Sequence, residues 1–252
     1  MDNSIFVENA RKKIKEGWLV DDLIRKLVML SDSIEKSENT LFEQLNDLYF
    51  LYYPEAANIL KDRDSFITSL EGACDRTSLG KLLGISDDSM GYDVDEEDIQ
   101  IVSMSVNEAK NIADLKKFVD ERLYSLMGEK YPNLTGVLGP ELAARMIYLG
   151  KKASLLALMT SSKLQVLGAE KAMFAARRKK ATPKYGIIYN HDALMEAPEG
   201  LKGKIAKIVA SYTSIAIKTD VFSKLDKSKE IKSKMIEAIK RVKNKNGIKK
   251  RD

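Results

Sequence analysis

Four consecutive cations, Arg177, Arg178, Lys179 and Lys180, are followed by Lys184 and the aromatic pair Tyr185 and Tyr189. These residue types in so short a stretch suit phosphate oxygens and stacked or edge-contacted bases, so the chemistry they point to is nucleic-acid binding. A few residues upstream, Gly168 and Ala169 leave a stretch with almost no side-chain bulk beside Glu170 and Lys171, where another backbone could come close. Each feature has a plainer alternative. Gly168 to Lys171 also read as an ordinary helix start, the cations as a solvated loop, and tyrosines four residues apart as core fillers with satisfied hydroxyls.

Catalytic patterns are missing from the sequence. There is no G-x-x-x-x-G-K-[ST] loop, no paired-histidine metal motif and no nucleophile constellation, so the chain is expected not to be an enzyme, with no cofactor and no metal. His191, the one histidine, is expected to be packed or at the surface, and Cys74, the one cysteine, to be an inert filler. Asp93, Asp95, Glu96, Glu97 and Asp98 lack calcium-loop spacing and stand just before the apolar periodicity that starts at Ile99; helix capping is the expected role.

The 252 residues are 44% hydrophobic and 31% charged, enough apolar side chain for a core. No run approaches the roughly 20 apolar residues needed to cross a bilayer, and Met1-Asp2-Asn3 does not open a signal peptide. A soluble, cytoplasmic protein in a reducing compartment, with no membrane partner, is expected. The formal net charge of +5 hides a separation: residues 1–135 hold 16 Lys+Arg against 27 Asp+Glu, net −11, and residues 136–252 hold 26 against 10, net +16. Positive charge gathered on a segment that can fold favours phosphate backbones through counterion release.

The elements that must position these residues are helices. Leu23, Leu27, Leu30, Ile34, Leu41, Leu45, Leu48 and Tyr52 follow a heptad seam in which Glu38 fills the skipped position. Ile99, Val102, Val106, Ala109, Ile112, Leu115, Val119, Leu123 and Leu126 mark a second helical face. Pro54 and the glycines 72, 80, 84 and 91 predict short helices and turns between the two, and the hairpin closes at Pro132. A two-helix hairpin has little area in which to hide its seam, so self-association is expected, with Leu41, Leu45, Leu48, Val106, Ile112 and Val119 as dimerisation residues. From Lys224 onward, lysines around Ile231, Met235, Ile239 and Val242 predict an amphipathic helix that ends in a basic tail.

Three strings, Gly168-Ala169-Glu170-Lys171-Ala172-Met173-Phe174, Pro183-Lys184-Tyr185-Gly186-Ile187-Ile188-Tyr189 and Gly203-Lys204-Ile205-Ala206, resemble the motifs of the Nop domain. Tyr53-Pro54-Glu55, Ser89-Met90-Gly91 and Pro132-Asn133-Leu134-Thr135 resemble the accompanying coiled-coil region in matching order. The resemblance, covering roughly residues 5 to 240, is to the Nop-domain core proteins of archaeal-type box C/D small ribonucleoproteins. It implies an all-α protein: a long antiparallel coiled-coil hairpin that dimerises, followed by a globular helical Nop domain. The implied divisions are a connecting helix over 1–18, the coiled coil over 19–132 and the Nop domain with its basic tail over 133–252.

The partners implied are a box C/D guide RNA with a kink-turn, the ribosomal-type protein that binds that kink-turn, a second copy of the chain, and fibrillarin, the methyltransferase that acts on ribose 2′-hydroxyls. Family members dock fibrillarin through an N-terminal α/β domain, and this chain is expected to begin almost directly at the connecting helix, Ile5 to Glu16. By motif match, Gly168, Ala169, Glu170 and Lys171 lie at the junction of RNA and partner protein, with Lys171 donating to phosphate and Glu170 capping or accepting. Arg177, Arg178, Lys179, Lys180 and Lys184 are the phosphate binders, Tyr185 and Tyr189 stack on or pack near RNA, and Gln165 and Lys204 are secondary candidates. Two competing functions are a spliceosomal relative that binds kink-turn particles and an RNA-independent coiled-coil adaptor.

Overall fold

The computed structural model describes Val7, Arg11, residues 19–176 and residues 183–245, and every regular element among them is helical. In chain order these are α1 (Val20–Tyr52), α2 (Pro54–Ile59), α3 (Arg63–Leu70), α4 (Arg76–Leu83), α5 (Glu96–Lys130), α6 (Pro132–Leu138), α7 (Pro140–Gly150), α8 (Ala153–Leu158), α9 (Ser161–Gln165), α10 (Glu170–Ala176), a 3-10 turn (Ile187–Asn190), α11 (Asp192–Met195), α12 (Glu199–Lys218), a π turn (Thr219–Ser223) and α13 (Ser228–Lys245). The all-α expectation is met. Two compact units divide the described residues: those up to Val28 together with those from Glu121 on, and Met29–Asp120.

In the Met29–Asp120 unit, α1 and α5 run antiparallel. Ser31 Oγ donates to Asp120 Oδ1 at 2.6 Å and Lys116 Nζ approaches Glu35 at 3.9 Å, so a four-residue advance on one helix matches a four-residue retreat on the other. The seam of α1 shares Ile34, Glu38, Leu45 and Tyr52 with the predicted one, and at Ile24, Val28, Ser31 and Tyr49 lies one residue on from the predicted leucines. The buried line along the helix is Ile24, Val28, Ser31, Ile34, Glu38, Leu45, Tyr49 and Tyr52, whereas Leu23, Leu30 and Leu48 are exposed and Leu41 is half-buried. Both lines have heptad spacing, and the true one passes through polar residues that pair inside the hairpin. Ser31 bonds Asp120, and the Glu38 carboxylate meets Arg63 at 3.5 Å. Leu45, Val106 and Val119, named as dimerisation residues, are buried against their own chain and offer nothing to a second copy; Ile112 is half-buried.

Beyond Tyr52 the chain makes short helices, as its proline and glycines predict. Arg76 holds this region together. Its guanidinium donates to the carbonyls of Tyr52 (2.7 Å) and Tyr92 (2.8 Å) and to Asp93 (2.6 Å), and lies 4.7 Å from the centre of the Tyr52 ring. The Tyr53-Pro54-Glu55 and Ser89-Met90-Gly91 strings meet here. Glu55 accepts from Ser89 Oγ and from Met90 N, which holds its carboxyl below the usual range. At Gly91 a Cβ would stand 2.0 Å from the Tyr52 carbonyl oxygen, so only glycine fits. Asp95 accepts from Asp98 N at 3.0 Å, a cap on α5 drawn from the acidic cluster.

The other unit is built around α12, whose Ile205, Ala206, Val209, Ala210, Ala216 and Ile217 are buried with Leu134, Met146, Ile147, Leu156, Leu164, Ile188 and Leu194. The predicted C-terminal amphipathic helix is α13, burying Ile231, Met235 and Ile239. Asn133 of the Pro132-Asn133-Leu134-Thr135 string is wholly buried and ties three segments together. Its backbone N and Nδ2 donate to Asp220 (3.1 and 2.7 Å), Nδ2 also donates to the Leu225 carbonyl (2.8 Å), and Oδ1 accepts from Lys227 N (2.8 Å). Leu134 N donates to the second oxygen of Asp220 at 2.8 Å. His191 caps α11: Nδ1 accepts from Ala193 N, so Nε2 carries the proton and donates to the Val137 carbonyl at 3.0 Å. Cys74 is buried and its thiol pKa is pushed up by that burial.

Candidate nucleic-acid interface

The Gly168-Ala169 turn is made by the end of one short helix and the start of the next. Thr160 caps α9 by accepting from Lys163 N, and after Gln165 the chain tightens, with Ala169 N donating to the Val166 carbonyl at 3.0 Å. Gly168 has φ +86°, a region that disfavours any residue with a Cβ, and an added Cβ would stand 3.0 Å from a methyl of Leu149. Gly168 is exposed and Ala169 half-buried, so the bare stretch of backbone is at the surface. Glu170, first residue of α10, accepts from Gly168 N at 3.0 Å and closes the turn from outside.

A second segment is laid along this turn. Gly186 N donates to the Gln165 carbonyl and Ile187 N to the Leu167 carbonyl, both at 2.8 Å, while the Gln165 side-chain amide donates to the Lys184 carbonyl at 2.8 Å. The approach is so close that a Cβ on Gly186 would lie 1.9 Å from the Leu167 oxygen. Gln165 therefore joins two loops through its amide. The strings around Gly168 and Gly186, separated in sequence, form one surface.

Tyr185 and Tyr189 stack on each other, with ring centroids 5.3 Å apart and 19° between planes. Tyr185 Oη donates to Glu199 at 3.1 Å, and Lys202 Nζ donates to Tyr189 Oη at 2.9 Å while pairing with Glu199 at 3.1 Å. The Lys202 ammonium, bonded to Tyr189 and Glu199, is held above its usual pKa, and the Glu199 carboxyl, bonded by Lys202 and Tyr185, below its own. Each tyrosine thus gives one ring face to the other. Tyr185 also packs on the core, and Tyr189 is 38% exposed.

Lys163 and Lys184, in or beside the two stitched segments, are exposed; Lys204 is exposed as well, about 200° round α12 from Lys202. Glu199 and Lys202 were not anticipated; their spacing is that of any helical ion pair, and nothing in the sequence links them to tyrosines a dozen residues earlier. Arg177, Arg178, Lys179 and Lys180 lie outside the described residues. So does the side chain of Lys171, whose backbone belongs to α10. Among the described residues no group of three His, Cys, Asp or Glu could hold a metal ion, and no helix is long and apolar enough to cross a membrane. What remains is an exposed backbone turn, a stitched loop, a buttressed tyrosine pair and a scatter of lysines, an arrangement that can bind anions and bases.

A sequence profile described as Nop, snoRNA binding domain, fibrillarin, matches residues 30–244. An uncharacterized NOP5 family protein of Methanocaldococcus jannaschii is 31% identical, over 84% of this chain and 55% of its own length. Nucleolar protein 58 of Schizosaccharomyces pombe is 29% identical, over 82% of this chain and 44% of its own. The chain spans about half the length of the curated relatives it matches. A crystal structure described as a fibrillarin/Nop5p complex superposes with a TM-score of 0.57 over 92% of this chain and 72% of that one, at 18% identity, a likeness of fold.

Proposed function

Because the chain belongs to the Nop snoRNA-binding family, we propose that it is an RNA-binding scaffold of a box C/D guide ribonucleoprotein, carrying no catalytic group of its own. In this reading the surface formed by the Gly168 turn and the 183–190 segment sits against a kink-turn RNA already held by its ribosomal-type binding protein. Fibrillarin is the partner that performs ribose 2′-O-methylation. The observation that carries the reading is the exposure of the Gly168-Ala169 backbone: a turn free of bulk at the surface, adjoining Lys163 and Lys184 and leading into the cation run at Arg177 to Lys180. Lys171 and those four cations supply phosphate contacts, with Lys184 and Lys204 as further candidates.

Self-association belongs to the same proposal, carried by a different stripe from the buried seam. In the Met29–Asp120 unit, Leu30 and Leu48 on α1 and Met104 and Leu115 on α5 are exposed. At about 100° per residue, both pairs fall on the same side of the antiparallel hairpin.

A gel shift with a kink-turn RNA tests the RNA-binding claim. A slower band should form only when the kink-turn-binding protein is present, and reversing the charges of Arg177, Arg178, Lys179 and Lys180 should abolish it. Indifference to RNA shape and to charge reversal would favour an RNA-independent adaptor.

A further inference from the structure

Lys151, immediately after α7, holds a backbone conformation that glycine adopts without strain and lysine does not. Its φ is +68° and its ψ −43°, close to the rare, strained γ-turn. A residue with a Cβ there costs roughly tenfold in the folding equilibrium. Lys152 follows in relaxed extended backbone, φ −144° and ψ 143°. Both lysines are exposed, and no ion pair ties either to a carboxylate among the described residues.

Helix electrostatics do not account for a lysine at this strained position. A cation beside the C-terminal end of α7 is favourable, but Lys152 supplies that charge from an unstrained backbone one residue later. The neighbourhood offers a better reason. Leu149, two residues before Lys151, has a methyl 3.0 Å from where a Cβ on Gly168 would stand, so the end of α7 abuts the glycine turn. Strained residues that the surrounding fold retains gather at functional sites.

We propose that Lys151 and Lys152 extend the RNA-binding surface, donating to backbone phosphates of the same bent RNA that faces Gly168. The inference rests on the RNA-binding reading above and adds to it a lysine pair supplied by the turn between α7 and α8. Lysine at 151 is retained for its charge at the expense of stability. The two properties therefore separate on substitution.

The experiment uses the full chain, a kink-turn RNA and its kink-turn-binding protein, with filter binding over a salt series and urea unfolding of each variant. Lys151→Gly should raise the folding equilibrium constant roughly tenfold while weakening RNA binding on the order of fivefold and reducing the salt slope by about one phosphate contact. Adding Lys152→Gln should remove about one more. Lys151→Arg should keep the wild-type slope. Wild-type affinity and slope in the glycine variant and the double variant would overturn the proposal, as would a Lys151→Gly protein less stable than the parent. Failure of the wild-type chain to bind the RNA would instead overturn the RNA-binding reading, and this inference with it.

Discussion

At the scale of single residues, the strings that read as functional motifs divide into two kinds. Tyr53-Pro54-Glu55, Ser89-Met90-Gly91 and Pro132-Asn133-Leu134-Thr135 have internal partners: Glu55 bonds Ser89 and Met90, and Asn133 bonds Asp220, Leu225 and Lys227. Gly168 and Gly186 instead shape a surface. Replacing Gly186 with alanine puts a methyl 1.9 Å from the Leu167 oxygen and should cost about 1–3 kcal/mol by urea unfolding, since neither backbone can yield without breaking its hydrogen bonds. Asp220 offers a pH test. Its burial pushes its pKa above the ordinary 3.8, against the pull of the Asn133 and Leu134 donors. A carboxyl whose folded pKa exceeds its unfolded one binds protons more tightly in the native state, so its contribution to stability falls as pH rises from about 4 through the raised value. Asp220→Asn should flatten that part of the stability curve. At neutral pH it should also cost about 1–3 kcal/mol, because an amide nitrogen replaces one of two oxygens that both accept N–H groups.

At the scale of elements, helical periodicity identified α1, α5 and α13 and the short helices between Pro54 and Gly84. For α1 it finds Ile34, Glu38, Leu45 and Tyr52 of the buried face but takes Leu23, Leu27, Leu30 and Leu48 for their buried neighbours. Ser31 looks like a surface residue in isolation, and its partner Asp120 lies 89 positions away in the chain. Where the two lines part, Leu23, Leu27, Leu30 and Leu48 keep the heptad spacing with leucine at every position, so pattern alone selects them over Ile24, Val28, Ser31 and Tyr49. The proposed self-association would use the exposed stripe and leave the buried seam to the hairpin. Leu115→Glu together with Met104→Glu should shift sedimentation toward the monomer without moving the unfolding midpoint. Val106→Ala, which hollows the intrachain seam, should lower stability by on the order of 2 kcal/mol and leave association of the folded protein intact. A charged stripe that left the dimer unaffected would remove the exposed face from the account.

At the scale of the whole chain, charge separation between halves and the order of the motifs are legible in the amino-acid sequence, because both depend only on which residue stands where along the chain. The stitching of residues 183–187 to the Gly168 turn is not legible there, since it is made of backbone hydrogen bonds that any residues can form and is marked only by two glycines. The tyrosine pair shows the same gap: a spacing of four allowed base stacking or core filling, and the rings stack on each other, held by Glu199 and Lys202. The claim on which the function rests is that this stitched surface is where RNA binds. Hydrogen exchange of the chain alone, compared with the chain bound to a kink-turn RNA and its kink-turn-binding protein, measures that location directly. RNA bound at this surface should slow exchange at residues 165–169 and 183–190 and leave the 62–93 region unchanged. Protection confined to the acidic hairpin, with Gly168 and Gly186 exchanging as fast as in the free chain, would contradict it.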